Sequence, residues 1–562
     1  MLYRRALLAL PCAGLAAALF ACGSSNSNSG TSAAAAASAQ DTLTTATPIK
    51  HLVVIYGENV SFDHYFATYP NASNPSGEPA FTAASGTPTV NGLTNALINS
   101  NGNANTTLNG ANASPPFRLD RTQAATADQN HAYTAEQQAG DNGLLDLFPT
   151  YTGTATSGGA GAFGTKGQVM GFYDGNTVTA MWNYAQKFAM SDNAWTTTYG
   201  PSTPGALEVV SGQTNGLELV NTKALPSTVA TPSYYIEDGV NGFTLIGDVD
   251  PGYDTCSKKT DQGMINAQNI GDLLNAQKIT WGGFMGGFNL QTVNANGTTG
   301  CLRSTVATAV NAATADYSPH HNWFQYFKTT ANPQHLRPSA TAAVGSTLQA
   351  DGKTLDPANH QYDTDDFFAA VKAGTFPSVS FLKAPAAQDA HAGYSDPLDE
   401  QQFVTKVVNF LMQQPDWKNT AVIVTYDDSD GWYDHQYMAP VHSSLNAADQ
   451  LNGNGVCGTG TQPTGITGAP VNGRCGPGTR IPFLVISPWA KANYVDHTFI
   501  DQASVVRFIE DNWLGGARLG AGSFDAAAGD MRALFNFSGT GNLPVLYLDG
   551  TLGTQLSSAP SI

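Results

Sequence analysis

Four short runs of β-branched and aromatic residues, each closing on polar side chains, constrain this chain more than any other feature. They are Ile49–Tyr56, Ser378–Leu382, Thr420–Tyr426 and Ile481–Ser487, and runs of this length and character suit buried strands. Helical patterns lie between them. In Asp399–Met412, Phe403, Val407, Phe410 and Leu411 fall at i, i+4, i+7 and i+8, one face of a helix; Ile500–Trp513 repeats the idea with Ile500, Val505, Phe508 and Ile509. Strands alternating with helices predict an α/β fold, with a central, mostly parallel sheet covered on both faces by helices.

The chain has 562 residues, long for an average domain but within reach of one large α/β domain. A single domain is expected over residues 48–562. It carries two insertions: a loop-rich one near 71–125, rich in Asn, Gly, Thr and Ser and placed as part of a cap, and a better structured one near 215–305. The 58 Gly and 30 Pro fit a loop-rich globular chain. Its net charge of −18, from 25 basic against 43 acidic residues, has no basic patch to offset it, which argues against a nucleic-acid partner.

Arg4 and Arg5 precede the apolar run Ala6–Ala21, which reads as a signal peptide over residues 1–22. Cys22 after Ala21 resembles a lipoprotein box, so a lipidated membrane tether is expected, followed by a flexible linker over 23–47. The expected location is periplasmic or outer-membrane, with full secretion as the alternative. Beyond the signal stand Cys256, Cys301, Cys457 and Cys475, an even number that in an oxidising compartment favours disulfides over zinc. Cys256–Cys301 and Cys457–Cys475 are the most local of the three possible pairings.

Ligands of open α/β sheets collect at the carboxyl ends of the strands. Glu58-Asn59 follows the first run and Asp427-Asp428 the third. Adjacent carboxylates repel unless a cation sits between them, and oxygen ligands with one amide favour a divalent Ca, Mg, Mn or Fe ion. Ser202 stands in Tyr199-Gly200-Pro201-Ser202-Thr203-Pro204-Gly205, a tight turn, and a hydroxyl beside a metal can serve as a nucleophile. His131, His320, His321 and His391 stand in polar, Gly/Pro-marked loops. Imidazolium can neutralise phosphoryl oxygens and protonate a leaving oxygen, which favours activity below neutral pH.

At these residues the chain resembles the bacterial phosphoesterase family of acid phosphatases and phospholipases C. Glu58-Asn59-Val60-Ser61-Phe62-Asp63-His64-Tyr65-Phe66 looks like the family's opening signature with Val60 in place of Arg. Gly200–Pro204, Pro319-His320-His321, His391–Pro397, Tyr426–His435 and Arg480–Trp489 match further motifs in order. The resemblance implies an alkaline-phosphatase-like core, with Glu58, Asn59, Ser202, Asp427 and Asp428 around a divalent metal and Ser202 forming a phosphoserine. His131, His320, His321 and His391 would bind phosphoryl oxygens or assist the leaving group. Ser rather than Thr at position 202, and the short stretch after Trp513, lean toward the acid phosphatase branch and a small phosphate monoester. A phospholipase C and a non-catalytic tethered binding protein are the alternatives.

Overall fold

Eight strands form one sheet in the computed structural model, which describes residues 39–154, 165–220, 234–308, 310–539 and 543–561. In chain order they are β1 (His51–Gly57), β2 (Ala189–Ser191), β3 (Trp281–Met285), β4 (Gln361–Tyr362), β5 (Val379–Lys383), β6 (Thr420–Tyr426), β7 (Phe483–Ile486) and β8 (Tyr494–Asp496). Their order across the sheet is β4-β3-β5-β1-β6-β7-β2-β8. Five of the seven pairings are parallel, and β7 runs against both its neighbours. The expected α/β class with a mostly parallel sheet is what the chain forms.

Alternation along the central strands divides the core in two. Val53 and Ile55 of β1 and Val422 and Val424 of β6 enter one cluster; Leu52, Val54, Ala421 and Ile423 enter the other. Helices α3 (Thr179–Lys187), α5 (Thr364–Lys372) and α6 (Pro397–Met412) cover the first face through Trp182, Phe367 and Val407. On the second face lie α4 (Ser202–Ser211) and α7 (Ala503–Trp513), through Leu207 and Ile509. Two further helices, α1 (Phe62–Phe66) and α2 (Tyr133–Gly140), sit in the loops beyond β1. Pro at the first position of α6 and Asp396 as its cap, accepting from the Leu398 and Asp399 amides at 2.9 and 2.8 Å, start that helix.

Three boundaries differ from the sequence reading. The insertion expected to run from 215 to 305 stops earlier, because Trp281–Met285 is a strand of the central sheet. Its Gly282 and Gly283 hide it from an apolar pattern, yet a Cβ on Gly283 would meet the Phe324 ring at 2.9 Å. The linker expected through residue 47 is packed from Ala39: a short 3-10 helix spans Ala39–Thr42, and the Ala46 amide bonds the Asn512 carbonyl at 2.9 Å. Ile500, assigned to a helix by spacing, instead pairs with Ala194, and α7 starts at Ala503. Residues 71–125 form short helices rather than loop alone, with Leu93 packed beside Phe148, Val169 and Tyr433.

Both expected disulfides are present, Cys256–Cys301 and Cys457–Cys475. The expected signal peptide with Cys22, and most of the linker, lie outside the described residues. Among the described residues no helix is long and apolar enough to cross a membrane.

Candidate active site

Strand register assembles the site. β1 and β6 pair in parallel over seven positions, from His51↔Thr420 to Gly57↔Tyr426. Glu58-Asn59 and Asp427-Asp428 are therefore the next residues on two adjacent strands, delivered side by side at the carboxyl edge. Asn59 takes a left-handed conformation (φ 60°), which asparagine tolerates better than most residues. Its amide donates to Asp427 Oδ1 at 2.9 Å, holding the two strand ends together.

Ser202 opens α4 and meets the same edge. Its Oγ lies 3.2 Å from Glu58 Oε2 and 3.3 Å from Asp428 Oδ2, two acceptors for one proton. The helix can come this close because residue 205 is glycine: a Cβ there would fall 2.0 Å from the Asp427 carbonyl oxygen. The next residue, Thr203, donates from both amide and hydroxyl to Asp248 at 3.0 Å, fixing the first turn of the helix.

The four histidines ring this centre. His131 stacks edge-on to His391 at 6.4 Å between ring centroids, His391 parallel to His321 at 6.2 Å, and His321 edge-on to His320 at 4.2 Å. His131 Nδ1 is 3.0 Å from Asp430 Oδ1, and His321 Nδ1 is 2.9 Å from Glu58 Oε1. His320 is the most open, its side chain 25% exposed. Their charges differ. Burial works against a charged His131, but Asp428 and Asp430 outweigh it and hold its pKa well above the usual value. Burial pushes His321 down to about 3, with His320 and Lys383 adding to the effect. Enclosure therefore favours the neutral imidazole at His321, against the imidazolium role the sequence suggested for the histidines as a group.

The acids are poorly compensated. Burial and then the neighbouring Asp428 raise Asp427 well above the carboxylate range, while burial carries Asp428 to about 6 despite His131. Asp427 Oδ2 and Asn59 Oδ1 are buried without a hydrogen-bond partner. Two hard oxygen atoms without donors, between carboxylates that resist ionising together, fit a divalent cation. Glu58, Asn59, Asp427 and Asp428 would hold it beside Ser202. All nine sequence-selected residues, scattered from 58 to 428, gather in one neighbourhood.

Two members escaped the sequence reading. Lys383, 1% exposed at its side chain, ends β5 and pairs with Glu58 Oε1; against the cost of burial, its charge helps hold Glu58 well below its usual pKa. Its signal was available: a charged residue directly after the predicted strand Ser378–Leu382. Glu136 of α2 is buried beside Gly200 and Ser429, and nothing in its helical context marks it out.

The profile of the Phosphoesterase family matches residues 49–514. A non-hemolytic phospholipase C of Pseudomonas aeruginosa is 31% identical over 195 residues, 32% of this chain and 26% of that protein. Phospholipase C A of Mycobacterium tuberculosis is 23% identical over 550 residues, 92% of this chain and 86% of that protein. The match therefore spans about a quarter of the Pseudomonas enzyme but most of the mycobacterial one. Among solved structures, a protein in the alkaline phosphatase superfamily from Vibrio parahaemolyticus is similar with a TM-score of 0.27 and 11% identity, covering 74% of this chain and 72% of that one.

Proposed function

The chain belongs to the phosphoesterase family, and we propose that it is a phosphoric ester hydrolase acting on phosphate monoesters through a phosphoserine at Ser202. The observation that carries this reading is the position of Ser202 Oγ, within 3.3 Å of carboxylates from two strand ends, at the start of a helix whose N-terminal dipole favours an incoming anion. A divalent cation held by Glu58, Asn59, Asp427 and Asp428 would ease deprotonation of the serine and offset charge on the phosphoryl oxygens. Glu58 and Asp428 accept the serine hydroxyl and orient its oxygen. As that oxygen attacks phosphorus its proton passes to the carboxylate pair that holds it, the ester P–O bond breaks, and the departing alcohol oxygen takes a proton from an imidazolium of the histidine ring. Water then cleaves the phosphoserine, restoring the hydroxyl and releasing phosphate.

The cationic His131 and the open His320 suit the terminal phosphate of a monoester, whose two charges need more donors than a diester's one. The second reading is a phospholipase C, favoured by the names of the mycobacterial and Pseudomonas relatives. Two cystines, and the apolar run Ala6–Ala21 after Arg4 and Arg5, support the reading of an exported enzyme. The test is turnover of p-nitrophenyl phosphate against p-nitrophenyl phosphorylcholine and phosphatidylcholine, with Ser202→Ala alongside. Preference for the monoester, and loss of turnover by orders of magnitude in the variant, is the expected result. Preference for the diesters supports the second reading, and a fully active Ser202→Ala removes the nucleophile.

A further inference from the structure

Glu136 is a buried carboxylate that none of the chemistry above employs. Its residue is 3% exposed. Among the described residues no Lys, Arg or His forms an ion pair with it. What it touches are the two loops whose separation decides the chemistry. Oε2 accepts the Gly200 amide at 3.1 Å, two residues before Ser202. Oε1 accepts the Ser429 hydroxyl at 2.9 Å, one residue after Asp428. The Ser429 hydroxyl in turn accepts the Gly431 amide at 3.1 Å, so it is fixed from both sides. Gly200 has φ +124°, a conformation strained for any other residue, and a Cβ there would press on the Ile246 carbonyl at 3.1 Å. Such a turn needs external hydrogen bonds to hold it. Those of Tyr199 and Thr203 lead elsewhere, to the Cys475 carbonyl and to Asp248.

Given the reading of Ser202 as nucleophile, we infer that Glu136 is a positioning residue, a two-ended clamp that fixes the distance between the serine loop and the loop carrying Asp428. It acts through Gly200 and Ser429 and touches no reacting atom. Displacement of a reacting group by about 1 Å can cost on the order of a hundredfold in rate, so the clamp acts on kcat rather than on substrate affinity.

The test measures kcat, KM, bound metal and the rate of phosphoserine formation for Glu136→Ala, Glu136→Gln, Ser429→Ala and the double variant Glu136→Ala/Ser429→Ala. Glu136→Ala is expected to lower kcat and phosphoserine formation at least roughly tenfold, with KM and metal content close to wild type. Glu136→Gln should recover most of the loss, because its carbonyl can still accept from Gly200 and its amide can donate to Ser429. Ser429→Ala should show a smaller loss, and the double variant should be no worse than Glu136→Ala alone. Wild-type kcat in a folded Glu136→Ala, or losses that simply multiply in the double variant, would overturn the clamp. Should Glu136→Ala fail to fold, an unchanged kcat in Ser429→Ala, or a loss in Ser429→Ala that falls on KM rather than on kcat, decides against it equally. An inactive Ser202→Ala beside a normal Glu136→Ala defeats only this inference, whereas an active Ser202→Ala defeats the nucleophile reading itself.

Discussion

Two buried acidic clusters grow from the same pair of motifs, and they are built oppositely. Glu58 and Asp63 are five residues apart, and Asp427-Asp428 precede Asp434 by a similar interval. Asp63 and Asp434 converge on Arg480, whose Nη2 lies 2.9 Å from Asp63 Oδ1 and 3.0 Å from Asp434 Oδ1, while His435 Nδ1 approaches Asp63 Oδ2 at 2.6 Å. Each carboxylate oxygen there has a donor. Burial raises Asp63, but His435 and Arg480 overcome it and leave its pKa below the usual value. Burial still raises Asp434 despite Arg480, so the contrast lies in the donors: at the other cluster Asp427 and Asp428 rise as well, and Asp427 Oδ2 has no donor. The first cluster carries its own cations and braces the loops. The second has a charge deficit beside a hydroxyl, the property a catalytic metal centre requires.

The largest contrast should come from Arg480→Met, which strands two buried carboxylates. Denaturant unfolding should show a loss of about 3–5 kcal/mol. Asp427→Asn in chelated protein should move the other way and gain stability, because burial beside Asp428 penalises the charged carboxylate, although the variant cannot bind metal normally. A loss in both would erase the distinction. Chelation of wild-type protein should abolish turnover and lower stability by about 3 kcal/mol if the ion was present at a hundredfold its Kd; an unchanged melting curve would speak against a resident ion.

Gly205→Ala probes how the serine is brought to the deficient cluster. Its Cβ would overlap the Asp427 carbonyl, so α4 must move, at a cost of about 1–3 kcal/mol by unfolding and with kcat reduced more than KM is raised. Full activity would mean that the close approach is dispensable.

The smallest effect lies in pH dependence, where Asp428 and Asp63 should differ in sign. Asp428 binds its proton more tightly folded, near 6, than unfolded, so chelated protein should lose stability as pH rises from about 4 to 6, by at most ~1.4 kcal/mol per unit. Asp428→Asn should remove that slope. In the brace, His435 is raised by Asp63 despite burial. Its contribution is complete below the ordinary histidine value of about 6.5 and is lost as pH climbs through the folded pKa. Asp63, being lowered, contributes above the ordinary aspartate value and fades as pH falls through its folded pKa. His435→Gln should flatten the alkaline side of the stability profile alone.

What the sequence disclosed follows from how local each signal is. β6 could be read to the residue because Thr420–Tyr426 is β-branched or aromatic at all but one position and is buried along its whole length. β3 could not, since its two glycines exist to admit neighbouring rings and look like loop. The site residues were legible because acids after strands and histidines in Gly/Pro loops are unusual wherever they occur. The partition between cluster and brace was not, because nothing local tells Asp427 from Asp434; only the distant Arg480 decides. The same holds for Val60, where the family pattern has Arg. Its side chain is buried in the core, and its amide bonds the Asp428 carbonyl at 3.0 Å, so the backbone makes the tie there.

Elemental analysis of protein purified without added metal bears most directly on the deficient cluster. Wild type and Asp63→Asn should each carry one divalent ion per chain, while Asp427→Asn and Asp428→Asn should carry little or none. Metal-free wild-type protein that still turns over substrate, or an ion lost from Asp63→Asn and kept by both of the others, would contradict the assignment.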